Sequence, residues 1–172
     1  RIAIVSNGTM EVPLIHLRDC GIDLYRNAEG VMISPDCIGK HGIQPFELAC
    51  GTHPGVITDM QSFFTFLGLF ANGRSKVFDY RYPERIAYVS ELARFAPDAL
   101  EAQPGRITTY GPTPLKGAHG RSTDLRGSMT LVMAALCAQG EIQVEGVEMA
   151  LRGYNNLADK LAALGAECAW LD

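Results

Sequence analysis

The chain has 172 residues, of which 47% are hydrophobic and 20% are charged, a composition typical of a folded globular protein rather than a disordered one. Its formal net charge of -4 provides no broad basic surface for nucleic acid. Its longest apolar runs fall short of the ~20 residues that a membrane span requires, so we expect neither nucleic acid nor a membrane as a partner.

The first segment of the chain has the pattern of one strand, one helix and two further strands. These elements are predicted in turn for "RIAIVSN", "VPLIHLRDCG", "IDLYR" and "GVMISP". The first residues have the pattern of a strand rather than that of a signal peptide. We therefore expect the chain to be a truncated or cleaved piece of a larger fold.

A complete unit of helix, strand, helix and two strands begins at Thr58. In "TDMQSFFTFLGLFANG" an N-cap residue, Thr58 or Asp59, precedes an apolar run that ends in glycine, which predicts a buried helix. "RSKVFDY" predicts a strand, and "PERIAYVSELARFA" predicts a helix that opens with Pro83. "DALEAQPGRITTYG" predicts two short strands around the Pro104-Gly105 turn.

The same order of elements returns later in the chain. "STDLRGSMTLVMAALCAQG" predicts a helix that begins at Thr123-Asp124, with Asp124 as its cap. A strand at "EIQVEG", an amphipathic helix at "LRGYNNLADKLAALGA" and a strand at "ECAWL" are predicted after it. Thr123 follows Thr58 by about 65 residues, and Arg152 follows Arg85 by about the same distance.

These correspondences divide the chain into about two and a half copies of one unit. We assign a partial repeat to residues 1–50, a repeat to residues 51–112 and a repeat to residues 113–172. A period near 65 residues is longer than those of the common solenoids, and two of the predicted helices are apolar almost all round. The pattern therefore predicts a compact, pseudo-symmetric α/β domain with internal helices.

Cysteine usage argues against a disulfide framework and against a zinc site. The number of cysteines is odd, and no pair has the CxxC spacing. We expect reduced and mostly buried thiols in a cytoplasmic protein, and no metal site. The five residues are Cys20, Cys37, Cys50, Cys137 and Cys168.

Four long segments of the chain resemble the enolpyruvyl transferase family, in particular its sugar-nucleotide branch. They are "GTHPGVITDMQSFFTFLGLFANG", "PERIAYVSEL", "STDLRGSMTLVMAALCAQG" and "RGYNNLADKLAALGAE". The resemblance implies an inside-out α/β barrel, in which repeated β-α-β-α-β-β units pack their helices inward. It also implies two such domains with the active site between them. Residues 1–172 would then be the C-terminal portion, and the N-terminal domain would be its partner.

The reaction implied by this resemblance is transfer of the enolpyruvyl group of phosphoenolpyruvate to a hydroxyl of UDP-N-acetylglucosamine, with release of phosphate. It implies a cytoplasmic enzyme of peptidoglycan and cell-wall biosynthesis, and we expect no cofactor. The carboxylate and phosphate of phosphoenolpyruvate require fixed cations, for which the planar fork of arginine is well suited. The acceptor hydroxyl requires a nearby base.

The resemblance assigns these roles to particular residues. Asp59 would be the catalytic base. Arg126 and Arg152 would also be catalytic, as arginines that bind the anionic donor, and Arg85 would bind substrate. Spacing alone favours a helix cap for Asp59 and a local ion pair with Glu84 for Arg85. A first-turn arginine lies at the unfavourable end of a helix dipole, which is a modest indication of an anion near Arg126.

The chain also departs from the family pattern. The mobile loop with a reactive cysteine, and the lysine and arginine of the other domain, have no counterpart here, so we expect this chain alone to be inactive. Arg81 occupies a position beside the acceptor where the family has a small apolar residue. It is a candidate substrate-binding residue, and an ion pair with Asp79 or Glu84 is the structural alternative.

Because of Arg81, the sequence does not decide which acceptor substrate is used. The alternative to a sugar nucleotide is another nucleotide, such as UMP, in natural-product biosynthesis. The shikimate-phosphate branch of the family ranks third, because "TDMQ", "TDLR" and "RGY" fit the sugar-nucleotide branch better. A hypothesis of a different class is a non-catalytic binding module that has kept the fold.

Overall fold

The computed structural model describes residues 2–4, 10–27 and 30–170. The chain separates into two compact units, which are described one after the other. The first unit comprises Arg1–Ile86 and Asp98–Thr113, and the second comprises Ala87–Pro97 and Pro114–Asp172. Within the described ranges, every helix is too short or too polar to cross a bilayer.

The first unit begins with a small antiparallel sheet covered by a helix. Its strand order is β1-β3-β2, and its elements are β1 (Ile2–Ile4), α1 (Glu11–Asp19), β2 (Ile22–Asn27) and β3 (Gly30–Ile38). Leu14 of the helix packs with Leu24 and Val31 of the sheet. The predicted elements of this segment are confirmed, except that Arg1 and residues 5–7 of the first predicted strand lie outside the described residues.

A five-stranded mixed sheet forms the rest of the first unit. Its strand order is β5-β4-β6-β8-β7, with β4 parallel to β6 and the last three strands antiparallel. The elements are β4 (Glu47–Gly51), β5 (Val56–Ile57), a 3-10 turn (Thr58–Met60), α2 (Gln61–Gly68), β6 (Arg74–Asp79), β7 (Leu100–Gln103) and β8 (Arg106–Tyr110). Three of these strands were predicted, whereas β4 and β5 were not.

Helix α2 packs against this sheet through apolar side chains. Phe64 of the helix lies with Leu48, Cys50 and Val77 in one buried cluster. The predicted N-cap at Thr58 or Asp59 is wrong, because both residues lie in the 3-10 turn. Met60 precedes the α-helix itself, and no side chain caps it.

The second unit contains four helices and a two-stranded parallel sheet. Its elements are α3 (Ala87–Phe95), β9 (His119–Arg121), α4 (Leu125–Cys137), β10 (Gln143–Glu145), α5 (Glu148–Leu151) and α6 (Leu157–Ala163). Strands β9 and β10 pair in parallel. The cap at Asp124 is confirmed, because its Oδ1 accepts hydrogen bonds from the backbone N–H groups of Arg126 and Gly127, at 2.9 and 3.0 Å.

Three details of the second unit differ from the sequence prediction. Helix α3 begins at Ala87 rather than at Pro83. The amphipathic helix predicted at "LRGYNNLADKLAALGA" is shorter than expected, because α6 begins only at Leu157, after Asn156 adopts a left-handed backbone with φ of 52° and ψ of 44°. Of the strand predicted at "ECAWL", residues 167–170 have no strand structure, and Leu171 lies outside the described residues.

One structural motif occurs in both units. A strand, a buried helix and a second strand parallel to the first form β4-α2-β6 in one unit and β9-α4-β10 in the other. Helix α4 has 13 residues, whereas the 3-10 turn and α2 have three and eight. This difference of two residues agrees with the spacing of the repeated sequence.

The cysteines are less buried than predicted. All five are free thiols. Cys20 and Cys50 are buried and Cys37 is half-buried, whereas Cys137 and Cys168 are exposed. The expectation of mostly buried thiols is therefore wrong for the last two.

Candidate active site

An ion pair joins Asp59 to Arg85 in the first unit. Arg85 Nη1 lies 3.2 Å from Asp59 Oδ1 and also donates a hydrogen bond of 3.3 Å to the backbone carbonyl of Thr58. The Asp59 side chain is 42% exposed and that of Arg85 27% exposed. The carboxylate is therefore held in place by a cation and is still accessible to a ligand.

The turn that precedes Arg85 supports its guanidinium group. The guanidinium carbon lies 4.5 Å from the centre of the Tyr82 ring, a cation–π contact. The backbone N–H of Arg85 also donates to the carbonyl of Tyr82, at 3.0 Å. The ion pair of Arg85 is thus with Asp59 and not with Glu84, which was the alternative from sequence.

Arg81 lies in the same turn with an exposed side chain. Its guanidinium carbon lies 5.6 Å from the centre of the Tyr82 ring. Among the described residues it has no ion pair, so the predicted pairing with Asp79 or Glu84 does not form. Asp79 Oδ1 accepts a hydrogen bond from the backbone N–H of Arg81 instead, at 3.0 Å.

Arg126 occupies the second position of α4 in the second unit. Its Nη1 donates a hydrogen bond of 3.3 Å to the hydroxyl of Tyr154, and its guanidinium carbon is 6.0 Å from the centre of that ring. The carboxylate of Asp124 caps the backbone of the same helix turn. The hydroxyl of Tyr154 thus restrains the guanidinium group of Arg126.

Arg152 follows the short helix α5 and is exposed. Its guanidinium group makes no hydrogen bond or ion pair with any residue that the structure describes. The next residue, Gly153, lies against Leu125, and a Cβ at that glycine would be only 3.1 Å from the Leu125 side chain. This close approach brings the backbone of Arg152 near the first turn of α4, where Arg126 lies.

Two buried thiols of the first unit are held in the neutral form. Burial raises the pKa of Cys50 to about 12, with a smaller contribution from the charge of Asp79 and an opposing one from Arg85. Burial, with the charge of Asp19, raises the pKa of Cys20 to about 11. Neither thiol suits nucleophilic chemistry at neutral pH.

The aromatic partners of the arginines were not identified from sequence. Tyr82 contacts Arg85, and Tyr154 contacts Arg126. The available signal for the first contact was a tyrosine three residues before an arginine, in "RYPER", whereas Arg126 and Tyr154 are 28 positions apart and share no local motif. The spacing in "RYPER" is too common to be assigned a role without coordinates.

Neither of two grooves on the described surface contains a predicted site residue. One is lined by polar groups around His41 and Asn72 of the first unit. The other is lined mainly by apolar groups around Leu157 and Trp170 of the second unit. Among the described residues, no group of three or more His, Cys, Asp or Glu side chains could hold a metal ion.

Comparison with known proteins identifies relatives over most of the chain. The family described as EPSP synthase (3-phosphoshikimate 1-carboxyvinyltransferase) matches residues 6–161. The UDP-N-acetylglucosamine 1-carboxyvinyltransferase of Nitratiruptor sp. is 39% identical over 89% of this chain and 35% of its own length. UDP-N-acetylglucosamine 1-carboxyvinyltransferase 2 of Streptococcus thermophilus is 40% identical over 73% of this chain and 30% of its own length.

Solved structures extend the comparison to the fold. The enolpyruvyl transferase NikO from Streptomyces tendae superposes with a TM-score of 0.83 at 26% identity, over 92% of this chain and 36% of that chain. The EPSP synthase from Acinetobacter baumannii superposes with a TM-score of 0.55 at 16% identity, over 88% of this chain and 37% of that chain. The latter supports a shared mixed α/β fold only.

The chain belongs to the EPSP synthase family of enolpyruvyl (1-carboxyvinyl) transferases, since the family matches nearly its whole length. The resemblance noted from its motifs is thereby confirmed. The chain spans about a third of the length of the relatives it matches.

Proposed function

We propose that this chain is the C-terminal portion of a two-domain transferase. The whole protein would move the enolpyruvyl group of phosphoenolpyruvate to a hydroxyl of UDP-N-acetylglucosamine and release phosphate. The observation that carries the proposal is the accessible carboxylate of Asp59, which Arg85 holds at 3.2 Å. Relatives of 39% and 40% identity that are named for this activity support it.

Asp59 would act as the general base toward the acceptor. As the acceptor hydroxyl oxygen bonds to the central carbon of phosphoenolpyruvate, its proton passes to the Asp59 carboxylate. The terminal carbon takes up a proton with the electron pair of the former double bond; loss of that proton and breaking of the carbon–oxygen bond to phosphate then restore the double bond, and the acceptor proton leaves with the phosphate. The ion pair with Arg85 would fix the carboxylate in the orientation that proton transfer requires.

The arginines of the second unit would bind the donor. Arg126 is restrained by a neutral hydroxyl, and the guanidinium of Arg152 is exposed without a partner among the described residues. Two neighbouring guanidinium groups match the carboxylate and phosphate of phosphoenolpyruvate. We propose that Arg126 and Arg152, both in the second unit, bind the two anionic groups of the donor.

Phosphate release by the full-length protein tests this proposal. We expect turnover with phosphoenolpyruvate and UDP-N-acetylglucosamine, and a background rate for the 172-residue chain alone, because groups of the N-terminal domain are missing. A rate for the isolated chain near that of the full-length protein would contradict the two-domain site. No turnover by the full-length protein with any nucleotide acceptor would favour the non-catalytic binding module.

A second acceptor class is supported by Arg81. Its exposed guanidinium has no ion pair with a described residue, so an acceptor phosphate could provide one. The alternative function is therefore enolpyruvyl transfer to a nucleotide such as UMP in natural-product biosynthesis. Titration of UMP and UDP-N-acetylglucosamine into native protein and Arg81→Val separates the two. If the native protein prefers the sugar nucleotide and Arg81→Val has the same preference, Arg81 no longer supports UMP as the acceptor.

A further inference from the structure

A fully buried carboxylate lies at the end of the strand that leads to the candidate site. Asp79 is the last residue of β6, and its side chain has no solvent exposure. Its Oδ1 accepts two hydrogen bonds, from the backbone N–H groups of Arg81 at 3.0 Å and Tyr82 at 2.9 Å. Its Oδ2 has no hydrogen-bond partner among the described residues. Burying a carboxylate in this way is costly, so its role needs explanation.

The two hydrogen bonds to Asp79 Oδ1 fix the turn that follows the strand. A side-chain oxygen that accepts from backbone N–H groups two and three residues later holds the chain in a tight turn. The turn is also tied to the hairpin of β7 and β8, since Asp79 N–H donates to the Gly105 carbonyl at 3.0 Å and Gly105 N–H donates to the Pro83 carbonyl at 2.9 Å. These hydrogen bonds therefore fix the backbone of Tyr82.

Tyr82 in turn sets the position of Arg85. The tyrosine ring lies 4.5 Å from the guanidinium carbon, and the tyrosine carbonyl accepts from the Arg85 N–H at 3.0 Å. Arg85 then reaches Asp59 Oδ1 at 3.2 Å. A continuous series of contacts thus leads from Asp79 through Tyr82 and Arg85 to the proposed base.

We propose that Asp79 is a positioning residue for the transferase reaction, which acts by holding Tyr82 against Arg85 and so keeps Arg85 on Asp59. The proposal rests on the proposed function, in which Asp59 accepts the acceptor proton. Asp79 touches neither reacting group in this role. Its effect on the rate passes entirely through the orientation of Arg85 and of the Asp59 carboxylate.

The kinetic test compares variants of the full-length protein. Asp79→Ala removes both turn hydrogen bonds, and we expect kcat to fall at least about tenfold with the KM for phosphoenolpyruvate changed less than about twofold. Asp79→Asn keeps an oxygen acceptor for both N–H groups and should restore most of the rate. Asp23→Ala, at an exposed aspartate of β2, is the matched control. A native kcat for Asp79→Ala would overturn the proposal.

A double-mutant cycle separates positioning from a general structural effect. If Asp79 acts through Arg85, then Asp79→Ala should change kcat little in a protein that already carries Arg85→Ala. Additive losses in kcat would contradict the proposal. Tyr82→Leu, at a ring that is 44% exposed, breaks the same series without altering a buried charge. Tyr82→Leu should reproduce the fall in kcat, and it replaces Asp79→Ala in the test if Asp79→Ala does not fold.

A crystal structure of Asp79→Ala, or of Tyr82→Leu in its place, provides a readout that does not depend on activity. We expect the Arg85 to Asp59 distance to lengthen beyond 4 Å. An ion pair retained at about 3.2 Å would overturn the positioning role, whatever the rates. The native protein could also lack transferase activity while the Arg85 to Asp59 distance still lengthens in the variant. That pair of results would support the positioning role of Asp79 and contradict the proposed function alone.

Discussion

A Thr-Asp pair precedes a buried helix in each of the two units, and its aspartates make different contacts. Asp124 has an extended backbone, with φ of -157° and ψ of 172°, so that its carboxylate caps α4. Asp59 lies inside a 3-10 turn, so that its carboxylate leaves the helix and pairs with Arg85. The backbone at the helix start thus determines whether the same residue is structural or available to a ligand.

The residue two positions after each aspartate shows a second difference. Gln61 begins α2 and is buried, whereas Arg126 lies in the first turn of α4, is part-buried and bonds to Tyr154. One copy therefore offers a carboxylate and the other offers a cation. Under the proposed function, the first copy would act on the acceptor and the second would bind the donor.

The largest expected effect comes from the same substitution at both aspartates. Asp59→Asn should lower kcat of the full-length protein by about 10²- to 10⁴-fold, because an amide cannot accept the acceptor proton. Asp124→Asn should leave kcat nearly unchanged, because asparagine caps a helix as well as aspartate does. Phosphate release measures both. Equal losses in the two variants would show that the copies do not differ in role.

A smaller effect is expected from replacing Arg126 by the residue that stands at the equivalent position. Arg126→Gln should weaken phosphoenolpyruvate binding by about 1.5–3 kcal/mol, since it removes a charge-assisted contact. Calorimetric titration of phosphoenolpyruvate into the full-length protein measures this. Arg121→Gln, at an exposed arginine of the same unit, is the control. A native affinity for Arg126→Gln would remove that residue from the donor site.

For the free energy of unfolding, replacing Asp124 should have a larger effect than replacing Asp59, the reverse of their order for kcat. Asp124→Ala removes both cap hydrogen bonds of α4 and should lower the free energy of unfolding by about 0.5–2 kcal/mol. Asp59→Ala removes a partly exposed ion pair, so its loss should stay below about 1 kcal/mol. Urea unfolding of the full-length protein measures both, with Asp124→Ser as the control that keeps a cap. A larger loss for Asp59→Ala would contradict the structural contrast.

The smallest effect concerns alkaline pH and the first unit. The pKa of Cys50 is raised to about 12 in the folded protein, so the protonated thiol favours folding. This stability is fully present below the thiol's ordinary pKa of 9.0 and is lost as the pH rises toward 12. Above pH 9, the unfolding free energy should therefore fall less steeply with pH in Cys50→Ala than in the native protein. The difference in slope should be roughly 1 kcal/mol per pH unit at most.

The control for the alkaline experiment is Cys168→Ala, which alters an exposed thiol of the second unit. Its unfolding free energy should follow that of the native protein between pH 9 and pH 11. Chemical denaturation at each pH gives the values. Identical pH profiles for Cys50→Ala and the native protein would show that this thiol does not respond to its surroundings as the structure indicates.

The elements that sequence predicted well have strong local determinants. Helices α2 and α4 follow long apolar runs, and strands β7 and β8 flank the Pro104-Gly105 turn. Strands β4, β5 and β9 have two to five residues each and depend on partners elsewhere in the chain, so local pattern did not reveal them. Residues 167–170 of the strand predicted at "ECAWL" include one strong β-former, Trp170, and have no pairing partner among the described residues.

The candidate site was predictable only in part for a similar reason. The resemblance to a family selected Asp59 and Arg85, but their contact joins residues 26 positions apart and required the fold. The cap at Asp124 depends on residues two and three positions away, so sequence was sufficient for it. The contacts of Tyr82 and Asp79 are set by the turn after β6, for which no motif was available.

The connection between strand and helix has a different length in the two copies. Gly51 ends β4 well before Asp59, and the intervening residues form a loop and the short strand β5, whereas Arg121 ends β9 only three residues before Asp124. Lengthening a surface loop adds little closure entropy, so such an insertion is nearly neutral for folding. A duplicated gene could therefore release one aspartate from capping while its twin retained it, and new chemistry could arise without any change in the core.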